Sequence, residues 1–175
     1  MSDWVGNRSV YLHIPKTGGN WIRSVIKDSQ VHTKKTNKYS KHATYDFLMG
    51  SGLSRRPSLV AKTKASQINF FCVVRHPLLW YQSWYRYQKD CGWKQWGVSG
   101  DTSAKMWHCL SALNMPEPSE FNEFIERVNI QAPGFLTYLY HSYVLPSGAR
   151  VLKNESLRVD LLALNEEWNL GLNQK

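Results

Sequence analysis

Apolar and polar residues alternate over a short stretch near the start of the chain, where Val10, Leu12 and Ile14 are separated by more polar side chains. This alternation predicts a strand. Pro15 and two nearby glycines end the strand, and apolar side chains then recur at helical spacing. The chain is therefore predicted to form a strand, a glycine turn and a helix over about residues 20–28.

The same periodicities predict the remaining elements. Residues 68–74 are the most apolar stretch and predict a strand buried on both faces, as in a parallel sheet between helices. The alternation of strands with helices predicts a mainly parallel sheet flanked by helices. The order of strand, glycine turn and helix is that of a P-loop, so we expect an α/β fold of three layers with a P-loop-like core. The other predicted elements are a short helix after Thr44, a strand at 58–63, a helix at 77–89, helices near 119–128 and 134–143, a strand at 148–153 and a closing helix.

Length and composition favour one domain. The chain has 175 residues, of which 42% are hydrophobic, so we interpret residues 1–175 as a single domain. No apolar run approaches the roughly 20 residues that cross a membrane, and the first residues contain no secretory signal pattern. Three cysteines without Cys-x-x-Cys spacing argue against a disulfide framework and a zinc site. We therefore expect a soluble cytoplasmic protein without a metal.

Positive charge is concentrated in the first half of the chain. Residues 1–94 contain 16 Lys and Arg against 4 Asp and Glu, whereas the remaining residues contain 6 against 9. The expected partner of the first half is an anion, which could be a nucleotide, a nucleic acid or a sulfated polysaccharide. Charge alone does not choose among these three classes.

Two segments each have two interpretations. The basic segment of residues 29–41 is predicted to be a loop, either a solvated linker or part of a groove that holds substrate. The tryptophan-rich segment of residues 91–107 is also predicted to be a loop. Its indole rings either close the core or offer flat faces to an acceptor such as a sugar ring.

The glycine turn has the composition of an anion-binding site. The backbone N–H groups of its Lys-Thr-Gly-Gly sequence gather at the start of the predicted helix, where the helix dipole favours negative charge. Lys16 adds a cation there. The nucleoside-triphosphatase pattern GxxxxGK[ST] is absent, because the lysine precedes the glycines in this chain. This order argues against an ATP-dependent kinase.

A second motif follows the buried strand. The sequence FFCVVRHPLLWYQSWY, residues 70–85, places Arg75 after the strand, a proline two residues later and Ser83 eight residues after the arginine. Together with Pro-Lys-Thr-Gly-Gly, this motif resembles the nucleotide-binding motifs of sulfotransferases that use 3′-phosphoadenosine 5′-phosphosulfate (PAPS). The resemblance covers about residues 8–170.

The resemblance implies a role for each matching residue. Lys16 would stabilise the charge on the leaving oxygen, and Arg75 and Ser83 would hold the 3′-phosphate. The loop N–H groups would hold the 5′-phosphosulfate with help from the Thr17 hydroxyl, although Asn20 departs from the usual Thr or Ser. The implied nucleotide-binding residues are Pro15, Lys16, Thr17, Gly18, Gly19, Asn20, Trp21, Arg75 and Ser83.

A histidine is the expected base because imidazole accepts a proton near neutral pH, and the chain has six histidines. The sequence KHATYDFL, residues 41–48, resembles a segment of heparan sulfate 2-O-sulfotransferases and short bacterial relatives in which a histidine precedes a small helix. The resemblance points to His42 as the base and to the carbohydrate-type branch. His13 is expected to shape the site instead.

These features together imply an enzyme. It would move the sulfuryl group of PAPS to an acceptor hydroxyl by in-line displacement, without a metal, and release adenosine 3′,5′-bisphosphate. A carbohydrate is one acceptor class that fits. The alternative is a non-catalytic module that binds a nucleotide or a polyanion such as a nucleic acid. For the enzyme, we do not expect a nucleic acid partner.

Overall fold

The computed structural model describes residues 3–6, 8–35, 42, 44–49, 68–90, 93, 117–145 and 147–173. The predicted strand at 58–63 lies outside the described residues, as does the tryptophan-rich segment apart from Trp93. Within the described ranges, none of the helices combines the length and the apolar character that crossing a membrane requires.

The described strands form one sheet, in which four strands run in one direction and one runs against them. The strands are β1 (Asp3–Val5), β2 (Ser9–Leu12), β3 (Thr33–Lys35), β4 (Asn69–Val74) and β5 (Arg150–Lys153). Their order across the sheet is β3-β1-β2-β4-β5. Strand β4 is parallel to β2 and to β5, whereas β1 is antiparallel to β2 and to β3. The prediction of a mostly parallel sheet is confirmed.

Helices cover both faces of this sheet. The described helices are α1 (Gly19–Asp28), α2 (Tyr45–Met49), α3 (Pro77–Asp90), α4 (Phe121–Gln131), α5 (Phe135–Val144) and α6 (Leu157–Trp168), and a 3₁₀ turn at Asn154–Ser156 precedes α6. Apolar side chains of α1 and α6 pack on one face, and those of α2, α3, α4 and α5 pack on the other. The predicted α/β arrangement of three layers is therefore present in the described part of the chain.

Strand β4 is buried on both faces, as its apolar sequence predicts. Phe70 and Cys72 belong to the core on the α3 side, whereas Phe71 and Val73 belong to the core on the α1 side. Successive side chains of a strand point to opposite faces, so one strand supplies both cores. Burial raises the pKa of the Cys72 thiol to about 12, so this cysteine stays protonated at neutral pH.

Aromatic rings dominate the core on the α3 side. Trp80 and Trp84 of α3 have no exposed surface, and the Trp84 ring lies 5.3 Å from Phe124 and 5.4 Å from Phe135, measured between ring centroids. Trp93 also joins this core, with its ring centroid 6.0 Å from that of Phe124. For Trp93, the structure favours the interpretation in which the indole closes the core.

The structure corrects the prediction that residues 29–41 form a loop throughout. Thr33–Lys35 is strand β3, which pairs with β1 at the edge of the sheet. Both strands have only three residues, which is too short for an alternating pattern to be recognised. Lysine is also common on edge strands, because its charge opposes pairing with another chain. Residues 36–41 lie outside the described residues.

The two-sided core leads to a prediction about α6. Leu161 is 3% exposed and packs in the core on the α1 side, whereas Val159 of the same helix is 69% exposed. We expect Leu161→Ala to lower the free energy of unfolding by about 2–4 kcal/mol, because it leaves a cavity. Val159→Ala should change it by less than about 0.5 kcal/mol. Urea unfolding of both variants measures this difference, and equal effects would contradict the packing described.

Candidate functional site

The candidate site begins at the turn between β2 and α1. Two residues of this turn have a positive φ, Lys16 with 65° and Gly18 with 93°. Glycine adopts such angles without steric cost, whereas a lysine at this φ costs about 1 kcal/mol or more. The strained Lys16 backbone is a conformation that the surrounding structure has to maintain.

Four consecutive backbone carbonyls of the turn accept hydrogen bonds from side chains, which holds the strained conformation in place. The Thr17 hydroxyl donates to the Ile14 carbonyl at 2.8 Å, and the Trp80 indole N–H donates to the Pro15 carbonyl at 2.8 Å. Like Trp80, the next two donors come from distant parts of the chain. A terminal nitrogen of Arg75 donates to the Lys16 carbonyl at 3.4 Å, and the Asn154 amide donates to the Thr17 carbonyl at 3.1 Å.

The backbone N–H groups of the residues after Thr17 differ from these carbonyls in their hydrogen bonding. Among the described residues, the N–H groups of Gly18, Gly19 and Asn20 make no hydrogen bond, whereas those of Trp21 and Ile22 both donate to the Gly18 carbonyl. Free N–H groups at a helix N-terminus, combined with a positive φ at neighbouring positions, form a concave site for an anion. The local backbone therefore has the donors that a phosphate or sulfate group needs.

The two glycines of the turn are required for different steric reasons. A Cβ atom on Gly18 would overlap with the Asn154 amide, and the positive φ of Gly18 also disfavours any side chain. A Cβ atom on Gly19 would overlap with the imidazole ring of His13. The glycine pair therefore lets the turn approach both of these side chains closely.

Arg75 follows β4 and lies beside the turn. Its backbone is fixed by Tyr140, whose hydroxyl accepts from the Arg75 N–H at 3.1 Å and donates to the Arg75 carbonyl at 2.7 Å. Burial raises the pKa of Tyr140, so its hydroxyl remains a donor at neutral pH. The Nε atom of Arg75 is buried and has no hydrogen-bond partner among the described residues. A buried guanidinium nitrogen without an acceptor is costly, so an anionic ligand would stabilise it.

The Lys16 ammonium group lies over an aromatic ring. Its Nζ atom is 3.9 Å from the centroid of the Tyr87 ring, a geometry at which a cation is attracted by the ring face. Tyr87 lies on α3 one turn after Ser83, so both side chains lie on the same side of the helix. Helix α3 thus presents a hydroxyl and an aromatic ring to the turn.

Two histidine rings lie on the other side of the turn. The ring centroids of His13 and His42 are 4.6 Å apart, and His42 Nδ1 is 3.1 Å from the His13 carbonyl oxygen. A carbonyl oxygen only accepts, so Nδ1 of His42 carries the hydrogen and Nε2 carries the lone pair in the neutral ring. The Tyr143 hydroxyl donates to the His42 carbonyl at 2.7 Å, which fixes the His42 backbone. The arrangement leaves Nε2 as the basic atom of His42.

These parts surround one cavity of about 330 Å³. Of the ten residues implied by the resemblance, eight line it, together with His13 and Tyr87. The lining residues are His13, Pro15, Lys16, Gly18, Gly19, Asn20, His42, Arg75, Ser83 and Tyr87. Residues separated by up to 74 positions in the sequence therefore meet at the end of the parallel strands, where α/β folds bind ligands.

Thr17 and Trp21 differ from the expectation. The Thr17 side chain is fully buried and donates its hydrogen bond to Ile14, so it stabilises the turn and does not line the cavity. Trp21 is 40% exposed, does not line the cavity, and uses its backbone N–H within the first turn of α1. The Thr17 hydroxyl has a structural partner inside the protein, and sequence pattern alone gives no sign of that partner.

Several residues that support the site were not predicted from the sequence. Trp80 and Asn154 hold carbonyls of the turn, and Tyr140 and Tyr143 fix the backbones of the arginine and the histidine. Tyr87 could have been found, because it lies four residues after Ser83 on the predicted helix. The others come from distant parts of the sequence.

The described residues contain no group of three or more His, Cys, Asp or Glu side chains that could hold a metal ion. No family model, curated protein or solved structure matches this chain. The site is therefore interpreted from its own geometry and chemistry.

The close approach of His13 to the turn can be tested. Gly19→Ala should lower the free energy of unfolding by about 1–3 kcal/mol, because the new methyl group overlaps the His13 ring. In a His13→Ala background, which removes that ring, the same substitution should cost little. Denaturant unfolding of the two single variants and the double variant gives the coupling energy. Additive effects would contradict the contact.

Proposed function

We propose that this protein is a PAPS-dependent sulfotransferase that acts on an acceptor hydroxyl. The observation that carries the proposal is that one cavity is lined by the glycine turn and by Arg75 and Ser83. PAPS bears one anionic group at its 5′ end and another at its 3′ position. A cavity with two separate sets of anion donors is suited to such a nucleotide.

The nature of the donors supports this nucleotide over a nucleoside triphosphate. A P-loop that binds ATP places its lysine after the glycines, and a kinase also needs carboxylates that hold magnesium. Here Lys16 precedes the glycines, and the described residues that line the cavity include no Asp or Glu. Cations and N–H groups line the cavity, and they can bind a negatively charged nucleotide that carries no metal ion.

The reaction assigns one role to Lys16 and another to His42. The acceptor oxygen attacks the sulfur and forms a new S–O bond, while the bond from sulfur to the bridging phosphate oxygen breaks. The Lys16 ammonium group stabilises the charge on that leaving oxygen, which stays with adenosine 3′,5′-bisphosphate. His42 Nε2 takes the acceptor proton, because the Nδ1–H group of His42 donates its hydrogen to the His13 carbonyl.

We also propose where the acceptor hydroxyl binds and to which chemical class the acceptor belongs. The base and the glycine turn line one open cavity, so a hydroxyl that reaches His42 is also near the site proposed for the phosphosulfate. A carbohydrate is the acceptor class favoured by the resemblance around His42. The polar character of the lining residues agrees with a hydroxyl-rich acceptor.

Nucleotide binding is the first test. Adenosine 3′,5′-bisphosphate should raise the melting temperature of the protein, whereas ATP with magnesium should not, since binding to the folded state stabilises it. Lys16→Ala and Arg75→Gln should each weaken the binding by about tenfold or more, because each removes a charged donor. Lys27→Ala is the control, as Lys27 is exposed on α1 and does not line the cavity.

Measuring the binding of adenosine 3′,5′-bisphosphate at several salt concentrations separates the proposed enzyme from a polyanion-binding module. Binding of one small nucleotide should weaken only modestly as salt is raised, whereas a protein that contacts many phosphates loses affinity steeply. Absence of any stabilisation by adenosine 3′,5′-bisphosphate would contradict the proposal, as would equal affinities of Lys16→Ala, Arg75→Gln and the unaltered protein.

The role of His42 predicts a separation of binding from turnover. His42→Ala should reduce transfer of labelled sulfate from PAPS to the accepted hydroxyl by about 100-fold or more, since general bases contribute 10²–10⁴. Binding of adenosine 3′,5′-bisphosphate should change by less than about threefold, because His42 supplies no charge to the nucleotide. In the unaltered protein, the rate should fall as the pH is lowered, because a protonated imidazole cannot accept a proton. Unchanged turnover in His42→Ala would exclude His42 as the base.

A further inference from the structure

A second cavity, of about 280 Å³, adjoins the first. The two cavities share four lining residues, Lys16, Arg75, Ser83 and Tyr87. The second cavity is lined mainly by residues of α3. Its remaining lining residues are Leu79, Gln82, Arg86 and Asp90.

Two anion donors lie at the boundary between the cavities. Arg75 and Ser83 line both cavities, and the buried Nε atom of Arg75 has no hydrogen-bond partner in the part of the chain that the structure describes. An anion at this boundary would supply the acceptor that Nε lacks. Arg75 and Ser83, which meet at this boundary, are also the two residues proposed to hold the 3′-phosphate.

Arg86 is a further cation near this boundary, in the lining of the second cavity. It follows Ser83 by three residues on α3, and side chains with this spacing are neighbours on a helix surface. Arg86 lines the second cavity, and the ion pairs found among the described residues do not include it. Its guanidinium group could therefore contact the same anion that Ser83 would bind.

We propose that Arg86 is a specificity-determining residue that recognises the 3′-phosphate, together with Arg75 and Ser83. The proposal rests on the proposed function, because it assumes a 3′-phosphorylated nucleotide. Among the described residues that line the second cavity, three are cationic, Lys16, Arg75 and Arg86, and one is a carboxylate, Asp90. This excess of positive charge suits a phosphate dianion, and a guanidinium group binds phosphate through two parallel hydrogen bonds. The pair of arginines then distinguishes 3′-phosphorylated nucleotides from those that carry only a 5′-phosphate.

The test compares two nucleotides that differ only in the 3′-phosphate. Isothermal titration calorimetry measures the affinity of adenosine 3′,5′-bisphosphate and of adenosine 5′-monophosphate for the full chain. Arg86→Gln should weaken binding of the bisphosphate by about tenfold, as expected for loss of one charge-assisted contact. Binding of the monophosphate should change by less than about twofold. The preference for the bisphosphate should therefore fall by about the same tenfold factor.

Lys89→Gln is the matched control, since it removes the same charge from the same helix. Lys89 is exposed and does not line either cavity. Both nucleotides should bind this variant as they bind the unaltered protein. Melting temperatures without nucleotide should agree among the three proteins, because Arg86 is exposed and surface substitutions have small effects.

The possible outcomes separate this inference from the proposed function. If the unaltered protein binds the bisphosphate and Arg86→Gln binds it equally well, only the role of Arg86 is overturned. An equal loss of affinity for both nucleotides would also overturn the role of Arg86. Arg86 would then act on the 5′-phosphate or on the electrostatic potential of the whole site. Failure of the unaltered protein to bind the bisphosphate would overturn both proposals.

Discussion

The candidate site depends on four backbone carbonyls that are held inside the protein. The carbonyls from Ile14 to Thr17 accept from side chains of the turn itself, of α3, of the residue after β4 and of the 3₁₀ turn after β5. A peptide unit directs its carbonyl and its N–H to opposite sides, so fixing these carbonyls helps to orient the backbone that follows. The N–H groups of Gly18, Gly19 and Asn20 are then left without acceptors inside the described protein. The anion site is therefore a consequence of how the turn is anchored.

The same turn also connects the two proposed halves of the chemistry. His13 is the last residue before the anchored carbonyls, and its own carbonyl accepts from His42. This contact determines which nitrogen of His42 is basic. On the opposite side, the Lys16 ammonium group lies over Tyr87, beside the arginine and serine that line the cavity. Charge stabilisation and proton transfer are thus both proposed to rely on one short segment.

The sequence predicted the parts of this arrangement that depend on local patterns. Strand β4, helix α3 and the glycine turn have clear periodicity or composition, and eight of ten expected residues line one cavity. The contributions of Trp80 and Asn154 could not be predicted, because they reach the turn from 65 and 137 residues away. The Thr17 hydroxyl was assigned to the nucleotide because the motif gives no information about a nearby carbonyl. Strands β1 and β3 were missed because three residues carry too little pattern.

The most direct measurement follows the backbone N–H signals of the turn by nuclear magnetic resonance while adenosine 3′,5′-bisphosphate is added. If the N–H groups of Gly18, Gly19 and Asn20 bind the 5′-phosphate, their proton signals should move downfield more than those of other residues, because a phosphate is a strong acceptor. The Nε–H signal of Arg75 should shift as the 3′-phosphate binds. Large shifts elsewhere with these four signals unchanged would contradict the account of this site.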